Sequence, residues 1–130
     1  MKMYTARTFN NKYQLTDTEK AYISQWRMEK TALAIQTESG FILWHTTDFD
    51  PEGVPMCSKR LLIDFIFVDE RDRRQGHGTI LIEAVKKRCK SDQGLLAITA
   101  NDEAEAFFLC FGFENSGAHA DTSGIVDIVW

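Results

Sequence analysis

The segment from Val68 to Thr79, reading V-D-E-R-D-R-R-Q-G-H-G-T, contains the residues of this chain best suited to hold a charged ligand. It follows an apolar run and precedes a helical pattern, so its backbone N–H groups should converge at a helix N-terminus. Such a terminus attracts anions, and Gly76 and Gly78 let phosphates approach the main chain closely. Arg73 and Arg74 add cationic side chains at the same point. A lone G-x-G would more often be a tight turn beside a solvated basic run. The segment is not a Walker A loop, because the G-K-[ST] ending is missing. It is not a Rossmann fingerprint either, because Ile80 and Leu81 stand where a third glycine belongs.

A second chemical candidate is Asp64, a carboxylate inside the apolar run that leads into the segment. It could serve as a general base, or be a buried carboxylate tied up by a neighbouring hydrogen bond. Asp48, Asp50 and Glu52 form an acidic loop that could attract a cation or simply be solvated. Cys57, Cys89 and Cys110 are odd in number and lack CxxC or paired Cys/His spacing, which argues against a disulfide scaffold and against a zinc site. No metal ligand set is expected. The formal net charge of −4, from 15 basic and 19 acidic residues, disfavours a nucleic-acid binder working by general electrostatics.

These groups need elements to position them. With 130 residues, 44% apolar and 26% charged, the chain reads as one globular domain spanning 1–130. It shows neither a signal peptide nor a membrane span, so a reduced, cytoplasmic setting is expected. Met3 to Phe9 alternates loosely as an edge strand. Thr16 to Glu19 is a capping box that opens a helix to about Lys30, with Tyr22, Ile23 and Trp26 on one face. Thr31 to Thr37 and Phe41 to Thr46 form a hairpin around Glu38-Ser39-Gly40. Arg60 to Val68 reads as a strand covered on both faces. Thr79 to Lys90 is a helix with cations at its C-terminal end, and Leu95 to Ala100 is another buried strand. A short helix from Asn101 ends at Gly112, and an edge hairpin closes with Gly124 to Trp130. Strand–helix–strand–helix beside antiparallel strands predicts an α/β fold with a mixed sheet.

In that setting, Arg73-x-x-Gly76-x-Gly78 resembles the acyl-CoA-binding motif of the GNAT (Gcn5-related N-acetyltransferase) family. Asn101-x-x-Ala104-x-x-Phe107-Phe108-x-x-x-Gly112-Phe113 is similar to that family's second signature, and a helix and a strand separate the two as the family requires. The resemblance covers about Leu61 to Phe113. It implies a GNAT-like fold and acetyl-CoA as cosubstrate. It further implies that Ile66, Phe67 and Val68 pair with the pantetheine amides. Arg73, Arg74, Gln75, Gly76, His77, Gly78 and Thr79 would surround the pyrophosphate. Asn101, Phe107 and Phe108 would line the pantetheine arm. His77 is expected to point outward as a surface residue rather than a catalyst.

Transfer to an amine needs the neutral nucleophile. A lysine-like amine is neutral about once in 2,500 molecules at pH 7, a cost of roughly 4.6 kcal/mol that a general base offsets in part. The resemblance points to Asp64 as that base, while Leu62 stands where relatives can carry a catalytic Glu. The family's general-acid Tyr is replaced by Phe108, and the tyrosines (Tyr4, Tyr13, Tyr22) all lie near the N-terminus. Cys110 is expected to be packed rather than to replace it. The single N-terminal helix is an abbreviated acceptor wall, suited to a protein side chain or another exposed amine. The reading is a direct acetyl-CoA-dependent N-acetyltransferase acting on a primary amine. The alternative is a catalytically weak acyl-CoA-binding module that regulates a partner protein. An edge strand at Ile125 to Trp130 would allow a homodimer.

Overall fold

A computed structural model describes residues 2–47, 60–73, 75–88, 95–98, 107–109, 114–115 and 125–128. Seven strands form one sheet: β1 (Lys2–Thr5), β2 (Leu33–Gln36), β3 (Gly40–Thr47), β4 (Arg60–Val68), β5 (Leu95–Ile98), β6 (Glu114–Asn115) and β7 (Ile125–Ile128). Their order is β1-β2-β3-β4-β5-β7-β6. Among the described strands only β4 and β5 run parallel, so the sheet is mixed, as the strand–helix–strand pattern predicts. Helices α1 (Asp17–Arg27) and α2 (His77–Lys86) pack on the sheet, and a 3-10 turn spans Glu70–Asp72.

Two apolar clusters follow from strand alternation. Ile42, Trp44, Leu61 and Ile63 pack with Leu81, Ile82 and Val85 of α2. Phe41 and Leu43 pack with Ile23 and Trp26 of α1 and with Phe9. Burying a side chain such as Leu81 or Phe41 contributes about 1.5–3 kcal/mol. The Trp26 indole also donates from Nε1 to the carbonyls of Leu33 (3.1 Å) and Trp44 (3.0 Å), tying α1 to the hairpin.

Several boundaries differ from the sequence reading. β1 stops at Thr5 rather than Phe9, because a Thr5–Thr8 turn folds Phe9 into the core, where its N–H donates to the Thr5 carbonyl (3.0 Å). The capping box at Thr16 and Glu19 forms, but α1 ends at Arg27, where i to i−3 bonds from Met28 and Glu29 tighten the chain. α2 begins at His77, two residues before Thr79, because Gly76 at φ 84° serves as its N-cap. β7 is not an edge strand: it pairs with β5 on one side and β6 on the other, so a dimer through that strand loses its free edge. The acidic loop (Asp48, Asp50, Glu52), the three cysteines, Lys90, Gly112 and the strand extension to Ala100 lie outside the described residues. Among the described residues, no helix is long and apolar enough to cross a membrane.

Candidate functional site

The site begins at an irregularity in β4. Its ladder with β3 runs Leu43↔Phe65 and then Trp44↔Ile63, which leaves Asp64 as an extra residue. Such a bulge changes which face each later side chain meets. Before it, Leu61 and Ile63 pack against the α2 cluster. After it, Ile66 and Val68 take that face, while Phe65 and Phe67 pack towards α1. The parallel ladder with β5 ends at the same level, at Ile63↔Ala97. Among the described residues, β4 from Asp64 onward therefore has a β5-facing edge with no strand on it, and a backbone edge of that kind can pair with a ligand's amides.

The strand then leads into the loop. The Asp69 N–H donates to the Ser39 carbonyl (2.7 Å), and the Asp69 side chain accepts from the Arg71 N–H (3.3 Å). That bond, the Arg71 guanidinium beside it and the charge of Arg73 hold the Asp69 carboxyl below the usual carboxylate range. Arg73 Nε donates to the Val68 carbonyl (3.0 Å), and Gln75 Nε2 donates to the Arg71 carbonyl (3.3 Å). Both side chains are exposed. Gly76 caps α2 with no side-chain oxygen, and no acidic residue occupies the first turn. The first-turn amides of His77, Gly78 and Thr79 thus face the loop at the positive end of the helix dipole, the arrangement that binds a pyrophosphate. His77 is half-buried as the first helical residue rather than freestanding on the surface. A Cβ on Gly78 would come within 2.9 Å of the tip of the exposed Phe107 ring, which would have to shift to admit it.

The other expected positions are distributed unevenly. Phe107 is exposed above Gly78, and its ring meets Phe108 edge-on with centroids 5.5 Å apart. Phe108 is 1% exposed and sits in the α2 cluster. Arg74 and Asn101 lie outside the described residues. A groove of about 550 Å³ between β1 and α2 includes Thr79 but none of the strand-end residues. It adjoins this site at Thr79.

Asp64 is paired. Its Oδ2 lies 2.6 Å from His45 Nδ1, and His45 Nε2 lies 3.9 Å from Glu29 Oε2. Burial pushes the Asp64 carboxyl up, and the bond and charge of His45 offset only part of that. Burial pulls His45 down, but the bond to Asp64 and the charges of Asp64 and Glu29 outweigh it, so the ring is raised. The pair therefore binds a proton more strongly than its separated members would. His45 was missing from the sequence reading. The available signal was that Asp64 interrupts an apolar run and His45 ends one, but only the β3–β4 register brings them together.

A family model described as an acetyltransferase (GNAT) domain matches residues 6–129. No curated protein sequence matches the chain. Among solved structures, the AtaT–AtaR complex bound to DNA is similar, with a TM-score of 0.69 and 15% identity over 98% of this chain and 91% of that one. The GNAT family N-acetyltransferase YhbS from Escherichia coli, in complex with CoA, has a TM-score of 0.60 and 17% identity over 87% of this chain and 67% of its own. A mutant AtaT toxin bound to the C-terminus of the antitoxin AtaR and acetyl-CoA has a TM-score of 0.60 and 17% identity over 69% of this chain. The chain spans 57% of that protein's length. At these identities the structures share a fold, and the family match rests on the sequence model. A strand interrupted at Asp64, a glycine-capped helix behind it and a family match over nearly the whole chain place this protein in the GNAT acetyltransferase family.

Proposed function

We propose that the protein is an acetyl-CoA-dependent N-acetyltransferase that moves an acetyl group directly to a primary amine. The observation that carries this reading is that, among the described residues, the β4–β5 ladder ends at Ile63↔Ala97, immediately before the bulge, with the start of α2, capped by Gly76 and by no side chain, beyond the strand end. Ile66 to Val68 would pair with the pantetheine arm, and the amides from Gly76 to Thr79 would hold the pyrophosphate. Arg73 and Arg74 would add charge there, and Asn101 would bond the arm. Asp64 would accept the amine's proton as the nitrogen attacks the thioester carbonyl. One helix, α1, lies between β1 and β2. That short wall suits an amine on a macromolecule or another exposed amine. The CoA-bound YhbS and acetyl-CoA-bound AtaT structures support the cosubstrate assignment by fold.

A second reading, an acyl-CoA-binding module that regulates a partner, is favoured by Phe108, whose buried ring has no proton to give the leaving thiolate. The AtaT structures bound to the antitoxin AtaR show that this fold can work in a protein assembly. One assay separates the readings: release of free CoA thiol from acetyl-CoA in the presence of lysine-bearing peptides or polyamines. Transfer predicts amine-dependent thiol release, falling about 100-fold or more in Asp64→Asn while acetyl-CoA affinity stays the same. Acetyl-CoA binding without thiol release for any amine supports the binding module. An unchanged rate in Asp64→Asn removes Asp64 from the chemistry.

A further inference from the structure

His45 is the one buried polar or charged side chain in the described core, 6% exposed. Its place is held from both sides. Trp26 Nε1 donates to the Trp44 carbonyl (3.0 Å), and the Thr46 N–H donates to Thr31 Oγ1 (2.8 Å). Both ring nitrogens face carboxylates, Asp64 of β4 and Glu29 after α1, and these are the charged groups that face the ring among the described residues. The three do not form a metal site. A buried ion pair is a poor way to stabilise a core, since apolar residues of similar volume do as well or better. Its position beside Asp64, the extra residue of the bulge, at the level where the described β5 ladder ends, gives it a different use.

We infer that His45 is a positioning residue for acetyl transfer: it holds Asp64 through Oδ2, so that Oδ1 is left to take the proton of the acceptor amine. The inference rests on the reading of Asp64 as the proton acceptor. The step balances as follows. An ammonium, R–NH3+, and the acetyl thioester give the amide, the free thiol and one proton. One N–H bond breaks as an O–H bond forms at Asp64, which later returns that proton to water. The other proton lost by nitrogen goes to the thiolate. His45 keeps its own proton count through the cycle, and its Nδ1–H donates to Asp64 throughout. Without the ring, burial and the charge of Glu29 act unopposed on Asp64 and hold it protonated to higher pH.

The test compares wild type, His45→Ala, His45→Asn and Asp64→Asn by thiol release across about pH 6 to 9.5. In both His45 variants the rising limb of kcat/KM should move to higher pH, with KM for acetyl-CoA within about twofold of wild type. The plateau kcat should fall about tenfold or more in His45→Ala and less in His45→Asn, which keeps an N–H donor beside Oδ2. A limb that stays in place in folded His45→Ala overturns the inference, and if that variant does not fold, an unmoved limb in His45→Asn does the same. Full activity in Asp64→Asn overturns the underlying base assignment instead. A measurement that needs no acceptor is the NMR titration of the His45 ring. It should titrate above its ordinary value in wild type and fall in Asp64→Asn; superimposed curves overturn the coupling on which the inference depends.

Discussion

At the residue scale, the His45–Asp64 pair sets a pH dependence whose sign follows from its protonation. His45 is raised in the folded state because Asp64 and Glu29 outweigh the effect of burial. A group raised in this way contributes stability that is fully present below its unfolded value, near 6.5, and is lost as pH rises through its folded value. Asp64 is also raised, chiefly by burial, so it too makes the fold favour the protonated form. Both make the wild-type fold less stable as pH rises. The Tm advantage of wild type over the double variant His45→Asn/Asp64→Asn, which lacks both groups, should therefore shrink as pH rises from about 6.5 to 9, measured by thermal unfolding at constant ionic strength. An advantage that grows over that interval would mean that the ring is neutral in the fold and unaffected by its carboxylates. His45 was illegible from the sequence because the residue lies on a different strand from Asp64, and only the antiparallel pairing makes them neighbours.

At the element scale, two glycines do different work. Gly40, at the start of β3, lies so close to β4 that a Cβ would meet the Phe67 carbonyl oxygen at 2.0 Å. That atom is backbone and cannot rotate away, so Gly40→Ala forces the two strands apart. We expect it to cost several degrees in Tm at least, at about 4 °C per kcal/mol for a domain of this size. Gly76 has open space around it, but its φ of 84° lies where a side chain is strained. Gly76→Ala should cost about 1–2 kcal/mol and weaken acetyl-CoA binding by misaligning the first turn of α2. The contrast is measurable: calorimetry should find the larger stability loss for Gly40→Ala and the larger affinity loss for Gly76→Ala. Equal acetyl-CoA affinity in wild type and Gly76→Ala would remove the α2 start from the pyrophosphate site.

At the scale of the whole molecule, ligand binding should stabilise the fold by mass action. Acetyl-CoA at 100 times its Kd should add about 2.7 kcal/mol, a rise of several degrees in Tm. Because the proposed contacts run from β4 through the loop to α2, the rise should shrink in Arg73→Ala, which loses one cation at the loop. No rise in wild type at millimolar acetyl-CoA would remove the cosubstrate from this protein altogether. A ligand paired with β4 would bear on a strand that supplies residues to both clusters of the core.

By itself the sequence determined what local chemistry and patterning can determine. The capping box at Thr16 and Glu19, the hairpin around Glu38 to Gly40, the β4 strand and the glycine loop before α2 each follow from a short run of residues. The family likewise follows from two spaced motifs within one stretch of chain. Only the tertiary structure decided the rest. Whether Asp64 stands alone or paired depends on a bulge that shifts β4 by one residue against β3, and no periodicity within β4 reveals it. Whether the C-terminal strand is an edge depends on the two-residue strand β6 beside it. Strand pairing joins residues far apart in the chain, and its register is set by the packing of both sheet faces rather than by any local preference.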